Sequence, residues 1–101
     1  MSGDTIKVEV DADLEDLIPT YLSNLDKNLE KITAAVGSGD FEQCRVLGHN
    51  MKGSGGGYGF HDLSRYGKQI EDAAKESNDG EIQKTLDQIK DYLTRIDISY
   101  V

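Results

Sequence analysis

Tryptophan is missing from this sequence, and cysteine and proline occur once each, as Cys44 and Pro19. A lone cysteine excludes an internal disulfide, so apolar packing must hold a 101-residue chain together. The N-terminus, MSGDTIKVEV, has no basic region ahead of an apolar stretch and is not read as a signal peptide. No apolar run approaches the roughly 20 residues that span a bilayer. These absences predict a cytoplasmic protein with no membrane segment. Positive charge is also scarce: 11 Lys and Arg stand against 19 Asp and Glu, for a net charge of −8. Nucleic acid and anionic membranes reward basic patches, so neither is expected as a partner. Five Tyr and two Phe offer little for base stacking.

What is present reads as helices. A 37% apolar chain of this length supports one modest core, and residues 1–101 are taken as a single free-standing domain. Leu14, Ile18, Tyr21, Leu25, Leu29, Ile32 and Val36 recur at spacings of three and four, the seam of a long amphipathic helix. Asp11 or Asp13 offers its cap, and Pro19 predicts a short turn followed by a kink or restart. Gly37 to Gly39 end it. Asp40 with Gln43 forms a capping box for a second helix that starts at Phe41 and enters a glycine tract closed by Gly59. A third helix begins near Asp62, with Leu63, Tyr66, Ile70 and Ala73/Ala74 as its apolar edge and Gly67 on that edge for a close contact. Asn78 with Glu81 caps a fourth after a turn at Asp79-Gly80; its seam is Ile82, Leu86, Ile89, Leu93 and Ile96. Residues 1–10 and 98–101 alternate and read as short extended segments. The expected fold is all-α: an antiparallel four-helix bundle whose terminal segments meet at one end as a small ribbon.

The chemistry concentrates in Arg45 to Gly59, RVLGHNMKGSGGGYG. Helical spacing places His49 over Lys52 and Gly53, with Arg45 one turn before and Gly56 two turns after. Phe41, Cys44, Leu47, Met51 and Tyr58 take the core-facing side, which leaves His49 toward solvent. Each glycine inside a helix costs about 0.5–1 kcal/mol relative to alanine, so the tract must serve close packing or bare backbone. Lys52-Gly53-Ser54 is not a phosphate-binding loop, whose order is Gly-Lys-Ser/Thr after a strand. Nor do the glycines spell a dinucleotide fingerprint. His49, His61 and Cys44 have no zinc spacing, so no metal site is expected. Cys44 points to the core and makes a poor nucleophile partner for His49. An exposed imidazole remains, with a free nitrogen that can take a covalent group. A phosphoryl group there would carry about two negative charges, which Lys52 and Arg45 stand one turn away to stabilise. Gly53 and Gly56 leave the approach open for a donor protein.

The run from His49 to Gly59 resembles the signature of histidine-containing phosphotransfer (HPt) domains: His-x-x-Lys-Gly-Ser/Ala, small residues, then Gly. The Gly39-Asp40 turn and the Ile70-Glu71-x-Ala edge extend the resemblance over nearly the whole chain. Gly55 to Gly57 is richer in glycine than the usual pattern, and Met51 replaces a more common Leu. The resemblance implies a phosphocarrier in a two-component phosphorelay. His49 would be phosphorylated on its outer ring nitrogen, with Lys52 as charge partner and Gly53 as open approach. The implied partners are a receiver domain of a response regulator and a hybrid histidine kinase. The chain would act as a monomer without a nucleotide site or cofactor of its own, any Mg2+ belonging to the receiver. The docking face is expected around His49, with Leu17 and Leu22 of the first helix contributing apolar contact. His61 is read as a surface residue. The alternative is an interaction module that binds a receiver or kinase without accepting phosphate.

Overall fold

The structure, a computed structural model, describes residues 4–101. A strand, β1 (Ile6–Val10), leads through a 3-10 turn (Ala12–Leu17) into four helices: α1 (Ile18–Ser38), α2 (Phe41–Tyr58), α3 (His61–Lys75) and α4 (Asp79–Arg95). A second strand, β2 (Ile96–Tyr100), follows α4 without a break. Each helix packs on the next and α4 returns to α1, which closes the expected all-α bundle. The extended reading of residues 1–3 lies outside the described residues.

The punctuation follows local chemistry. The Asp11 carboxylate caps the 3-10 turn through the Asp13 N–H at 2.9 Å, and α1 restarts with Pro19 in its first turn, where its missing N–H costs nothing. The seam then buries Ile18, Tyr21, Leu25, Leu29, Ile32 and Val36, each aliphatic member contributing about 1.5–3 kcal/mol. Gly39 ends α1 at a φ of 76°, which glycine adopts without strain. Asp40 caps α2 through the Gln43 N–H at 3.1 Å. Only half of the expected capping box forms, because the Asp40 N–H is already taken by the Ala35 carbonyl at 2.8 Å.

The third helix starts at His61, next to the expected Asp62, and two other expectations are corrected at the C-terminal half. Asp79 and Gly80 are the first residues of α4 rather than a preceding turn, since Asn78 itself receives the Glu81 N–H at 3.2 Å. The apolar seam of α4 passes from Ile89 to Tyr92, which is buried, while Leu93 is half-buried and Ile96 has already left the helix as the first residue of β2.

The terminal segments do pair, and they pair in parallel, Ile6 opposite Ile96 through Val10 opposite Tyr100. The whole bundle is the crossover that a parallel pair needs. Two strands alone are marginal in water. Here Val8 and Val10 are buried in the common core, which secures the ribbon's inner face.

The glycines divide into two groups. Five of them lie within α2, at a combined helix cost of about 3–5 kcal/mol relative to alanine. A methyl group on Gly48 would come within 2.9 Å of the Glu71 nitrogen and the Gly67 carbonyl oxygen. One on Gly67 would stand 2.5 Å from the Lys52 nitrogen, and one on Gly55 2.8 Å from the Ser64 nitrogen. These three let α2 and α3 meet backbone to backbone. Gly53 and Gly57 face open space, with nothing within 4 Å. Among the described residues no helix is long and apolar enough to cross a membrane.

Candidate functional site: His49 and its carboxylate partner

Gly48 and Met51 bury the inner side of α2, so His49 between them projects outward with a side chain 59% exposed. The close approach of α2 and α3 at Gly48 and Gly67 brings Glu71 beneath the ring. Its side chain is only 9% exposed, and Oε2 lies 3.1 Å from His49 Nδ1. The other oxygen, Oε1, lies 3.2 Å from Lys52 Nζ, and Lys75 Nζ stands 4.0 Å from Oε2. The Lys52 ammonium, and after it the His49 hydrogen bond, hold the Glu71 carboxyl below the ordinary glutamate range against the opposing effect of desolvation.

This geometry fixes the tautomer. An ionised carboxylate only accepts hydrogen bonds, so Nδ1 carries the proton and donates to Oε2. The lone pair is then on Nε2, the nitrogen turned away from Glu71. A histidine oriented by a carboxylate at one nitrogen and open at the other is a competent nucleophile.

The remaining residues singled out in the sequence fall in different places. Lys52 is beside the site, but its near partner is Glu71. The Arg45 guanidinium forms a bidentate pair with Glu42, at 2.9 and 2.6 Å, one turn back along α2, and the Glu71 carboxylate adds to the rise of its pKa after Glu42. Gly53 leaves the space next to His49 empty, whereas a methyl group on Gly56 would lie 3.7 Å from the Ser64 hydroxyl. Leu17 is 49% exposed and closes one end of a groove between α1 and α2. Leu22 is half-buried against the core and does not line that groove. Cys44 is fully buried, with its thiol toward the Ile32 carbonyl. His61 is exposed at the start of α3 and lines a separate hollow beside β1.

Glu71 is the residue that reading for helix faces passed over as a site member. A signal was present: Gly67, Ile70, Glu71 and Ala74 share one edge of α3, so a charged residue there was bound for the helix interface.

The family model of the Hpt domain matches residues 16–98, and the chain belongs to that family. It is a phosphotransfer domain of two-component signalling. Hpt domains are phosphocarriers rather than kinases, and they interact with receiver domains and histidine kinases. Searches of curated proteins and of solved structures gave no match.

Proposed function

We propose that the chain carries a phosphoryl group on His49, taken from a receiver aspartate or a histidine kinase and passed to a receiver aspartate. The observation that carries this reading is the hydrogen bond from exposed His49 to buried Glu71. The Nε2 lone pair attacks phosphorus as the acyl-phosphate P–O bond breaks. The donor carboxylate leaves with that electron pair, and an N–P bond forms. No proton needs to move, because Nδ1–H stays on the ring and Glu71 offsets the positive charge that the ring acquires. Reversal of the same step delivers the group to another receiver. Lys52 then has two anions within reach, the Glu71 carboxylate and the phosphoryl oxygens, and shares its charge between them. Arg45 joins only by releasing Glu42.

In this reading residues 1–101 act as one monomeric domain in the cytoplasm, on protein partners rather than nucleic acid or membrane. Any Mg2+ required for the chemistry at aspartate sits on the receiver. The test is His49→Gln, which keeps size and polarity but removes the nucleophile. It should fold as the parent does and take up no acid-labile phosphate from a phosphorylated receiver. Label on the Gln variant would move the site elsewhere. The same experiment separates the carrier from a module that only binds, since that module would never be labelled.

A further inference from the structure

The terminal ribbon has two edges, and they are guarded unequally. β1 carries Lys7 and Glu9 exposed, charges of the kind that keep a further strand from pairing. β2 has no lysine, no proline and no bulge, since each of its residues faces one residue of β1. Its outward backbone is open. The Val101 N–H donates to the Val10 carbonyl and the Ala12 N–H to the Val101 carbonyl, both at 2.9 Å, so Val101 turns its main-chain groups toward β1. Direction alternates along a strand, which sends the main-chain groups of Ile98 and Tyr100 to the other side. There they have no hydrogen-bond partner among the described residues. The apolar face is unfinished at the same edge. Val8 and Val10 are 7% and 1% exposed, whereas Ile98 and Tyr100 opposite them are half-buried and 36% exposed. Among the described residues β1 is the one element that β2 packs against closely.

We propose that the free edge of β2 docks an extended segment of a partner protein, which adds as a third strand and alternates apolar with basic side chains. The inference goes beyond the phosphocarrier reading, because β2 supplies none of the groups beside His49, which are Glu71, Lys52 and Lys75. In strand addition the main-chain hydrogen bonds give affinity and alternate side chains give specificity. One side of the added strand would extend the apolar face and cover Ile98 and Tyr100. Its other side would meet the exposed Asp97. Charge selects a basic partner. The Ala12–Val101 bond ties the 3-10 turn to the end of β2, and that turn with its cap exposes Asp11, Asp13, Glu15 and Asp16. No Lys or Arg occurs from Asp11 to Leu17 or in β2. A segment with Lys or Arg at alternate positions is the complement of this edge. A second copy would bring the same carboxylates on a chain of net charge −8, which opposes pairing of two such edges.

The probe is a synthetic peptide that alternates valine and lysine, with a valine–glutamate peptide as its control. Amide hydrogen exchange, read by NMR on the whole chain, reports the edge directly. In the free protein the Ile98 and Tyr100 amides should exchange fast, and the Ser99 amide, which faces β1, slowly. Saturating lysine peptide should slow exchange at Ile98 and Tyr100 about tenfold or more, with an affinity that falls as salt rises. Ile98→Pro removes one donor from the free edge and none from the pairing with β1, a placement that proline tolerates. It should abolish the peptide's effect while Ser99 stays protected. Asp97→Lys changes only an exposed charge and should raise the Kd of the lysine peptide about tenfold. Neither substitution should alter phosphate uptake by His49, so a parent that takes up no phosphate removes the carrier reading and leaves this one standing. Unchanged exchange at both amides with the lysine peptide overturns the proposal, and equal slowing by the glutamate peptide overturns the basic partner. Slowing that needs no peptide and grows with protein concentration overturns it too, by giving the edge to a second copy.

Discussion

The two flanks of α2 solve opposite problems. Toward α3 the helix presents bare backbone, and Gly48, Gly55 and Gly67 bring the two main chains into contact. Charged groups close over that contact: Glu71 with His49, Lys52 and Lys75. Toward α1 it presents Asn50, Met51 and Ser54 to a groove that remains open and uncharged. Fixed distance serves chemistry, because a nucleophile must be held in one tautomer and one orientation. Open space serves recognition, because a partner has to enter. His49 lies where the two flanks meet, so in the proposed reading one helix would serve both.

The comparison breaks most visibly at Gly67. A methyl group there would press on the Lys52 nitrogen at 2.5 Å and the Gly48 carbonyl at 2.7 Å, and both are backbone atoms that cannot rotate away. Gly67→Ala should destabilise the bundle by about 3 kcal/mol, at the upper end for overpacking. It should also lengthen the Glu71–His49 contact. Urea denaturation measures the first effect. A Gly67→Ala protein as stable as the parent would mean that close backbone packing is not what holds Glu71 beneath the ring.

Glu71 comes next. Glu71→Ala should slow transfer about 10- to 100-fold, where each tenfold is about 1.4 kcal/mol of barrier. Glu71→Gln, which retains an acceptor for Nδ1–H, should lose less. Nitrogen NMR of the imidazole gives a readout that simple destabilisation would not move: the parent should be the Nδ1–H tautomer, and Glu71→Ala should shift toward Nε2–H. The pH dependence has a definite sign. Because the folded-state carboxyl is held below the ordinary range, its stabilising effect is complete above that range and is lost as pH falls through the depressed value. The melting difference between parent and Glu71→Gln should be flat near neutrality and close only in acid. A difference that closes on raising the pH instead would contradict the ionised carboxylate.

Lys52 should matter less. Its side chain is 37% exposed, so charge removal in Lys52→Ala is partly screened by water, and transfer should fall about tenfold or less. The loss should shrink as salt rises, because exposed charges are screened within roughly 10 Å at 0.1 M. A salt-independent loss would point to packing of the lysine stem rather than its charge.

How much of this was legible in the sequence depends on whether the deciding contact is local. The seam of α1, the restart at Pro19 and the caps at Asp40 and Asn78 are set by residues a few positions apart, and period and side-chain chemistry reveal them. The Hpt signature likewise lies within one helix and marks His49. Glu71 was harder, since its role comes from how closely α2 and α3 approach, which glycines permit but no helical period states. For Arg45 a local contact was on view: Glu42, three residues before it, pairs with the guanidinium. At the end of α4 the apolar spacing continues through Ile96, so periodicity alone could not show that pairing with β1 converts that residue to strand.

The smallest effects make the sharpest test of open space. Gly53 and Gly57 lie in the same helix with ordinary helical backbone, and a methyl group on either meets nothing within 4 Å. Replacing either with alanine should therefore stabilise the protein by a similar amount, about 0.5–1 kcal/mol, or a rise in Tm of roughly 2–8 °C for a domain of this size. Inside the isolated protein the two positions are equivalent. They differ only in what comes to them from outside. Gly53 is one turn from His49, where in the proposed reading a receiver's active site would close on the imidazole, and Gly57 is two turns away. Gly53→Ala should slow transfer a few-fold at every salt concentration, because the obstacle is steric, whereas Gly57→Ala should leave the rate as it is. Melting curves beside transfer rates for the two variants decide the matter. Equal slowing in both would show that the partner covers the whole glycine tract, and no slowing in either would show that Gly53 is glycine for a reason other than approach.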